Sequence, residues 1–151
     1  MSILLKELDF NDTVLLNKLL EWRNDNITRY YSNNTNIITK DIFDIILNKY
    51  KESGINPLII YYENNEVGII TFVECNNKIY MGINISPDYR NKKIGSLALN
   101  ELIRNTLIYF NNIQKIYASI KKENVSSIKL FEKYFTFSDE NNIFKEYYLE
   151  I

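Results

Sequence analysis

The chain has 151 residues, 46% hydrophobic and 25% charged, with a formal net charge of −1. This is an ordinary globular composition, and the length suits one domain spanning 1–151 that buries roughly two thirds of its unfolded surface. The near-neutral charge argues against a general nucleic-acid binder, which needs a basic excess to displace counterions. A single cysteine, Cys75, allows no internal disulfide, and the absence of histidine argues against Ser–His–Asp or Cys–His chemistry and ordinary zinc sites. The opening residues acquire an acid at Glu7 and lack a long apolar core, so neither a signal peptide nor a membrane span is expected and the protein reads as cytoplasmic.

Ser2 to Leu8 predicts a first strand. Asn11 or Asp12 can cap a helix whose apolar face is Leu15, Leu16, Leu19, Leu20 and Trp22. Thr39 can cap a second helix, with Phe43, Ile46, Leu47 and Tyr50 at helical spacing and Gly54 beyond its end. Between them, residues 29–36 form a polar and aromatic connection long enough to line a site. The period then changes: Leu58 to Tyr62, Val67 to Glu74 and Lys78 to Ile85 are rich in branched and aromatic residues, with turn segments at 63–66 and 75–77, and predict an antiparallel meander. A helix follows from about Lys93 to Phe110, with Leu99, Leu102, Ile103, Leu107 and Phe110 as its buried stripe. A strand at Ile116 to Ile120, a short helix from Val125 to Tyr134 and a strand from Phe144 to Ile151 complete the order.

The junction from Ile83 to Ser96 carries the most chemistry. An extended segment ends at Pro87, and a loop bearing Arg90, Lys92 and Lys93 turns into a helix with Gly95 in its first turn. Unsatisfied helix N–H groups, the helix dipole and three cations make such a place a seat for phosphate.

The run Arg90-Asn91-Lys92-Lys93-Ile94-Gly95 resembles the pyrophosphate loop of the acetyltransferase (GNAT) family, Gln/Arg-x-x-Gly-x-Gly/Ala. Lys93 stands at the family's first glycine, and is expected to lack the positive φ that glycine allows. Downstream, Glu123-Asn124-Val125-Ser126-Ser127-Ile128-Lys129-Leu130-Phe131-Glu132-Lys133 resembles the family's Glu-Asn-x-x-Ser-Ile-x-Leu-Tyr-Glu-Lys signature. From the residues alone, Asn124 could equally be a helix cap, with Ile128, Phe131 and Phe135 in the core.

The resemblance implies an α/β (α+β) fold, a twisted, mostly antiparallel sheet with helices on both faces, and acetyl-CoA as cosubstrate without a metal. It implies that backbone groups of Ile83, Asn84 and Ile85 hold the pantetheine and the thioester. Residues Arg90, Asn91, Lys92, Lys93, Ile94, Gly95 and Ser96 would cradle the pyrophosphate, with Asn124, Ser127 and Phe131 beside the cofactor. Many relatives have a tyrosine at position 131 as the acid that protonates departing CoA; Phe131 cannot donate. General acid assistance is worth about 10²- to 10⁴-fold, and Tyr134 is a candidate substitute, or a packing residue. Candidates for the base are Glu74, Tyr80 or a water held by Asn84 and Ser86. An acceptor amine with a pKa near 8 needs little help.

Glu21-Trp22-Arg23-Asn24-Asp25, followed by Arg29-Tyr30-Tyr31, resembles acetyltransferases of amino-sugar biosynthesis, including the pseudaminic-acid type, as does the ending Phe135 to Glu140. In that reading Arg23 or Arg29 pairs with a nucleotide phosphate and Tyr30 or Tyr31 stacks on the base or sugar. In the plainer reading Trp22 anchors its helix in the core and Arg23 covers it. The expected activity is direct acetyl transfer to a small-molecule primary amine, of a nucleotide-linked amino sugar, with no nucleic-acid or membrane partner and a monomeric or homodimeric state. The rivals are a ribosomal-protein-type Nα-acetyltransferase and a non-catalytic CoA-binding module.

Overall fold

The computed structural model describes residues 2–110 and 112–151, without the side chains of Leu107 and Ile108. The elements run β1 (Ile3–Glu7), α1 (Thr13–Arg23), α2 (Asn26–Tyr31), α3 (Lys40–Ser53), β2 (Leu58–Tyr62), β3 (Asn65–Cys75), β4 (Lys78–Ile85), α4 (Ile94–Arg104), α5 (Thr106–Tyr109), β5 (Lys115–Lys121), α6 (Val125–Glu132), β6 (Thr136–Glu140) and β7 (Phe144–Glu150). One sheet contains the seven strands in the order β1-β2-β3-β4-β5-β7-β6.

The meander is set by two tight turns. Glu63 and Asn64 have φ of 50° and 68°, and Asn76 and Asn77 have 51° and 64°. Two consecutive left-handed residues make the turn whose twist suits a hairpin, and asparagine tolerates that region better than most residues. Asp12, Thr39 and Asn124 each accept a first-turn amide and start α1, α3 and α6, while Gly54 ends α3 in the left-handed conformation at φ 74°.

Helices cover both faces. Ile94, Ala98, Leu99 and Leu102 of α4, with Ile128 and Phe131 of α6, pack on Ile60, Ile70, Phe72, Met81, Ile116 and Tyr147. On the other face, Leu15, Leu19 and Trp22 of α1 and Phe43 and Leu47 of α3 pack on Ile59 and Ile69. Burying one such side chain contributes about 1.5–3 kcal/mol.

Three expectations need correction. The predicted helix over 93–110 is broken at Asn105, whose carboxamide donates to the Glu101 carbonyl at 3.0 Å and carboxylate at 2.9 Å. Local bonding of this kind competes with helix continuation. The predicted place of Leu107 in the buried stripe lies outside the described residues. The connection after α1 holds a further helix, α2, and β6 adds an exposed edge strand to β7.

Every neighbouring pair in the sheet is antiparallel except β4 and β5, which are parallel and share one registered pair, Tyr80 with Tyr117. Beyond it β4 continues to Ile85 without pairing to β5, so the sheet opens where the phosphate-seat residues begin.

Candidate active site

The opening leads into a cleft of about 680 Å³. Ile83, Asn84 and Ile85 of β4 form one wall, and Arg90, Asn91, Lys93, Ile94, Gly95 and Ser96 form the floor. Asn124, Ser126, Ser127, Lys129 and Lys133 approach from α6, while Arg23, Thr28, Tyr31 and Ser32 approach from α1 and α2. A strand edge with unpaired backbone next to a helix start suits an extended amide-bearing arm that ends in phosphates.

The loop before α4 is built for close approach. Asn91 and Lys93 both adopt positive φ, 61° and 62°, on either side of Lys92, and no side chain caps the first turn of α4. Alternation of this kind gathers amides into an anion-binding concavity. Lys93 therefore adopts the left-handed conformation that its side chain was expected to forbid, at a cost of about 1–2 kcal/mol. Gly95 has no such φ; a Cβ there would lie 3.2 Å from Leu130 Cδ2, so the small residue lets α4 and α6 close around the floor.

Other predicted site residues lie apart from the cleft lining. Glu74 is exposed and pairs with Ile79 at the far end of the hairpin, about 17 Å along β4 from Asn84 at the usual strand rise. Tyr80 donates to Glu146 Oε1 at 2.5 Å; desolvation, with that bond next, pushes its phenol up to about 12. Phe131 is 3% exposed and meets Phe135 edge-to-face, with ring centroids 5.0 Å apart. The Tyr134 hydroxyl lies 3.5 Å from Ser96 Oγ, at the α4 end of the cleft. Lys92 sits over the Tyr89 ring at 5.2 Å. Ser86 is buried, its amide donating to the Val67 carbonyl at 2.8 Å.

On the acceptor side the predicted set divides. Trp22 belongs to the α1–α3 core, and Tyr30 is exposed, donating to Glu123. Arg29 is committed to the carbonyls of Asn24 (3.1 Å) and Thr35 (3.2 Å) and to Asn26 Oδ1 (2.7 Å). Arg23 and Tyr31 line the cleft. Arg23 Nη2 donates to the Asn34 carbonyl at 3.1 Å, whereas Nη1 is buried without a partner among the described residues. Burial is the main cause that lowers the Arg23 pKa, against the opposing effect of Tyr50.

Two contributors escaped sequence reasoning. Thr28 and Asp25 fasten α2 to the loop: Arg90 Nη2 lies 2.7 Å from Asp25 Oδ2 and 2.9 Å from Thr28 Oγ1. The available signal was Asp25 itself, a capping residue that accepts from the Ile27 and Thr28 amides.

A model of the acetyltransferase (GNAT) family matches residues 14–137, spanning the cleft, its loop and α6. The chain belongs to that family. It is accordingly an acetyl-CoA-dependent N-acetyltransferase, and the residues around the opening fit the cosubstrate: cations and free first-turn amides for phosphate, an unpaired strand edge for pantetheine.

Solved structures agree in fold. An N-acetyltransferase from Staphylococcus aureus Mu50 is 19% identical, with 99% of each chain covered and a TM-score of 0.78. Campylobacter jejuni N-acetyltransferase PseH in complex with acetyl coenzyme A is 20% identical, with 99% of each chain covered and a TM-score of 0.71. A spermidine N-acetyltransferase SpeG chimera from Vibrio cholerae and hSSAT is 18% identical, covering 99% of this chain and 96% of that one at a TM-score of 0.76. No curated protein matches the chain significantly. No described helix is long and apolar enough to cross a membrane.

Proposed function

We propose that the protein transfers acetyl from acetyl-CoA to the primary amine of a small molecule that carries oxyanions, with a nucleotide-linked amino sugar as the acceptor. The observation that carries this reading is Arg23 Nη1, a buried guanidinium donor in the cleft wall with no partner among the described residues. A buried donor left unmet costs about 1–3 kcal/mol, more when charged, and a phosphate or carboxylate oxygen would meet it.

The charge of the lining supports the same class. The described lining contains no acidic residue; with Arg90 paired to Asp25 and Lys93, Lys129 and Lys133 left to the cofactor phosphates, Arg23 is the cation that remains for the acceptor. Such a surface repels a polyamine and attracts a diphosphate. The PseH likeness adds a resemblance in fold, alongside the Trp22-Arg23-Asn24 segment.

The chemistry is direct. The neutral amine attacks the thioester carbonyl, an N–C bond forms, the C–S bond breaks, and the amine's proton passes through solvent to the thiolate. Positioning and hydrogen-bond donors at the carbonyl oxygen are the main demands on the protein.

A mass-spectrometric acetylation screen tests the reading with UDP- and dTDP-linked amino sugars, peptides and spermidine. Acetylated nucleotide sugar is expected, with spermidine unreacted. Turnover confined to peptides or spermidine would overturn it.

A further inference from the structure

Four side chains make a continuous hydrogen-bonded chain along the cleft wall. Arg90 Nη2 donates to Asp25 Oδ2 at 2.7 Å and to Thr28 Oγ1 at 2.9 Å, and Thr28 Oγ1 lies 3.2 Å from Asn84 Oδ1. Asp25 is held in turn by the amides of Ile27 (3.1 Å) and Thr28 (3.2 Å).

Chemistry gives this chain a direction. A guanidinium only donates, so Thr28 Oγ1 accepts from Arg90 and has one hydrogen to pass on. That hydrogen goes to Asn84 Oδ1 at 3.2 Å, which leaves Asn84 Nδ2 turned away from Thr28. An asparagine amide otherwise has two nearly isosteric orientations. Here the Thr28 hydroxyl, itself accepting from Arg90, holds one of them.

The selected orientation falls on the acceptor side of the sheet. Ile83 and Ile85 pack against the α4–α6 core, so Asn84 between them projects from the opposite face, where α1 and Arg23 lie. Arg23 Nη1 and Asn84 Nδ2 then both offer hydrogens to that region.

We infer that Arg90 is a positioning residue, acting through Thr28 to hold Asn84 as a hydrogen-bond donor, and that Asn84 and Arg23 together select acceptors with oxygens beside the amine. The identity of the acceptor rests on the proposed function; the relay rests on the hydrogen-bond geometry alone. Arg90 thus serves the acceptor wall, and its charge is already matched by Asp25 instead of being free for phosphate.

Thr28→Val keeps the shape but neither accepts nor donates, and Thr28→Ser keeps the hydroxyl. In ¹H–¹⁵N spectra of the labelled protein, the Asn84 carboxamide pair, assigned by its loss in Asn84→Ser, should shift or broaden in Thr28→Val and return in Thr28→Ser. With acetyl-CoA and a UDP-linked amino sugar, Thr28→Val should raise the acceptor KM about tenfold, the size of one hydrogen bond. Its acetyl-CoA Kd should stay within about twofold, and Thr28→Ser should restore the KM. A carboxamide pair unmoved in Thr28→Val, or acetyl-CoA affinity falling in step with the acceptor KM, would overturn the relay. A responsive carboxamide in a protein that does not acetylate the sugar would support the relay and refute the acceptor.

Discussion

Arg90 and Asp25 are 2.7 Å apart, an ion pair that joins the loop before α4 to the residue that caps α2. Both side chains are about one quarter exposed, so the pair lies between the surface and buried limits. With the Arg90–Thr28 bond at 2.9 Å it ties α2 to that loop.

Arg90→Met should therefore destabilise the protein by about 1–2 kcal/mol, the worth of a charge-assisted hydrogen bond at partial burial. Urea unfolding checks this, and a loss below a few tenths of a kcal/mol would show that the pair is ornamental. Acid should act through the same contact. Desolvation raises the Asp25 pKa, but the Arg90 bond, the Thr28 amide and the Arg90 charge outweigh it and lower it below 3.8. A carboxyl whose folded pKa is depressed contributes stability that is full above its unfolded pKa and is lost as pH falls through the folded value. The stability difference between wild type and Asp25→Asn should accordingly persist above pH 4 and shrink as the pH falls below it.

Lys93→Gly should make the fold more stable and the cleft weaker. Relief of a left-handed lysine is worth about 1–2 kcal/mol, reduced by glycine's larger unfolded-state entropy to a net of about 0.5–1. Calorimetric melting should rise by about 1–4 °C for a chain of this size. Loss of one cation from the floor should weaken acetyl-CoA binding about threefold. A lower melting temperature would contradict the strain at this residue.

Tyr134→Phe should leave kcat within about twofold, because the hydroxyl sits beside Ser96 at the start of α4 and does not line the cleft. A loss of about 10²-fold or more, the scale of general acid catalysis, would instead assign the missing acid to Tyr134.

Alkali should reveal two resistant tyrosines. Desolvation first, and then the bonds to Glu146 and Glu132, push Tyr80 and Tyr147 each up to about 12. A phenol with a raised pKa contributes stability that is full below pH 10 and lost as pH rises toward 12. Ultraviolet titration of the twelve tyrosines should show a subset ionising only above pH 11, and a single transition near 10 would contradict the packing.

Where the sequence was legible, one local signal decided the outcome. The bounds of β2 and β4 coincide with their apolar runs because an asparagine-bearing turn ends β2 and another precedes β4, which stops before Ser86-Pro87, and Asp12, Thr39 and Gly54 mark helix ends by their own bonds or φ. The run Arg90 to Ser96 was visible because it is contiguous, and all of it but Lys92 lines the cleft. α2 was missed because it is six residues long and buries none of them, so it has no apolar period. β6 was missed because all five of its residues are exposed. The acceptor side was only half legible: residue type made Arg23 and Arg29 equal candidates, but Arg29 is taken up by Asn24, Thr35 and Asn26 while Arg23 Nη1 has no partner among the described residues.

Gly95→Leu should fold yet fail to bind acetyl-CoA, since the added side chain meets Leu130 where α4 and α6 close on the cleft; Gly95→Ala asks only a small shift of that flexible neighbour. Equal affinity in a folded Gly95→Leu protein would place the phosphates elsewhere.

The most direct test is calorimetric titration of the folded protein with acetyl-CoA at low and high salt. The cleft of Lys93, Lys129, Lys133 and the α4 amides predicts one equivalent bound, with affinity falling as salt screens the phosphates. Absence of binding at either salt concentration would contradict the account.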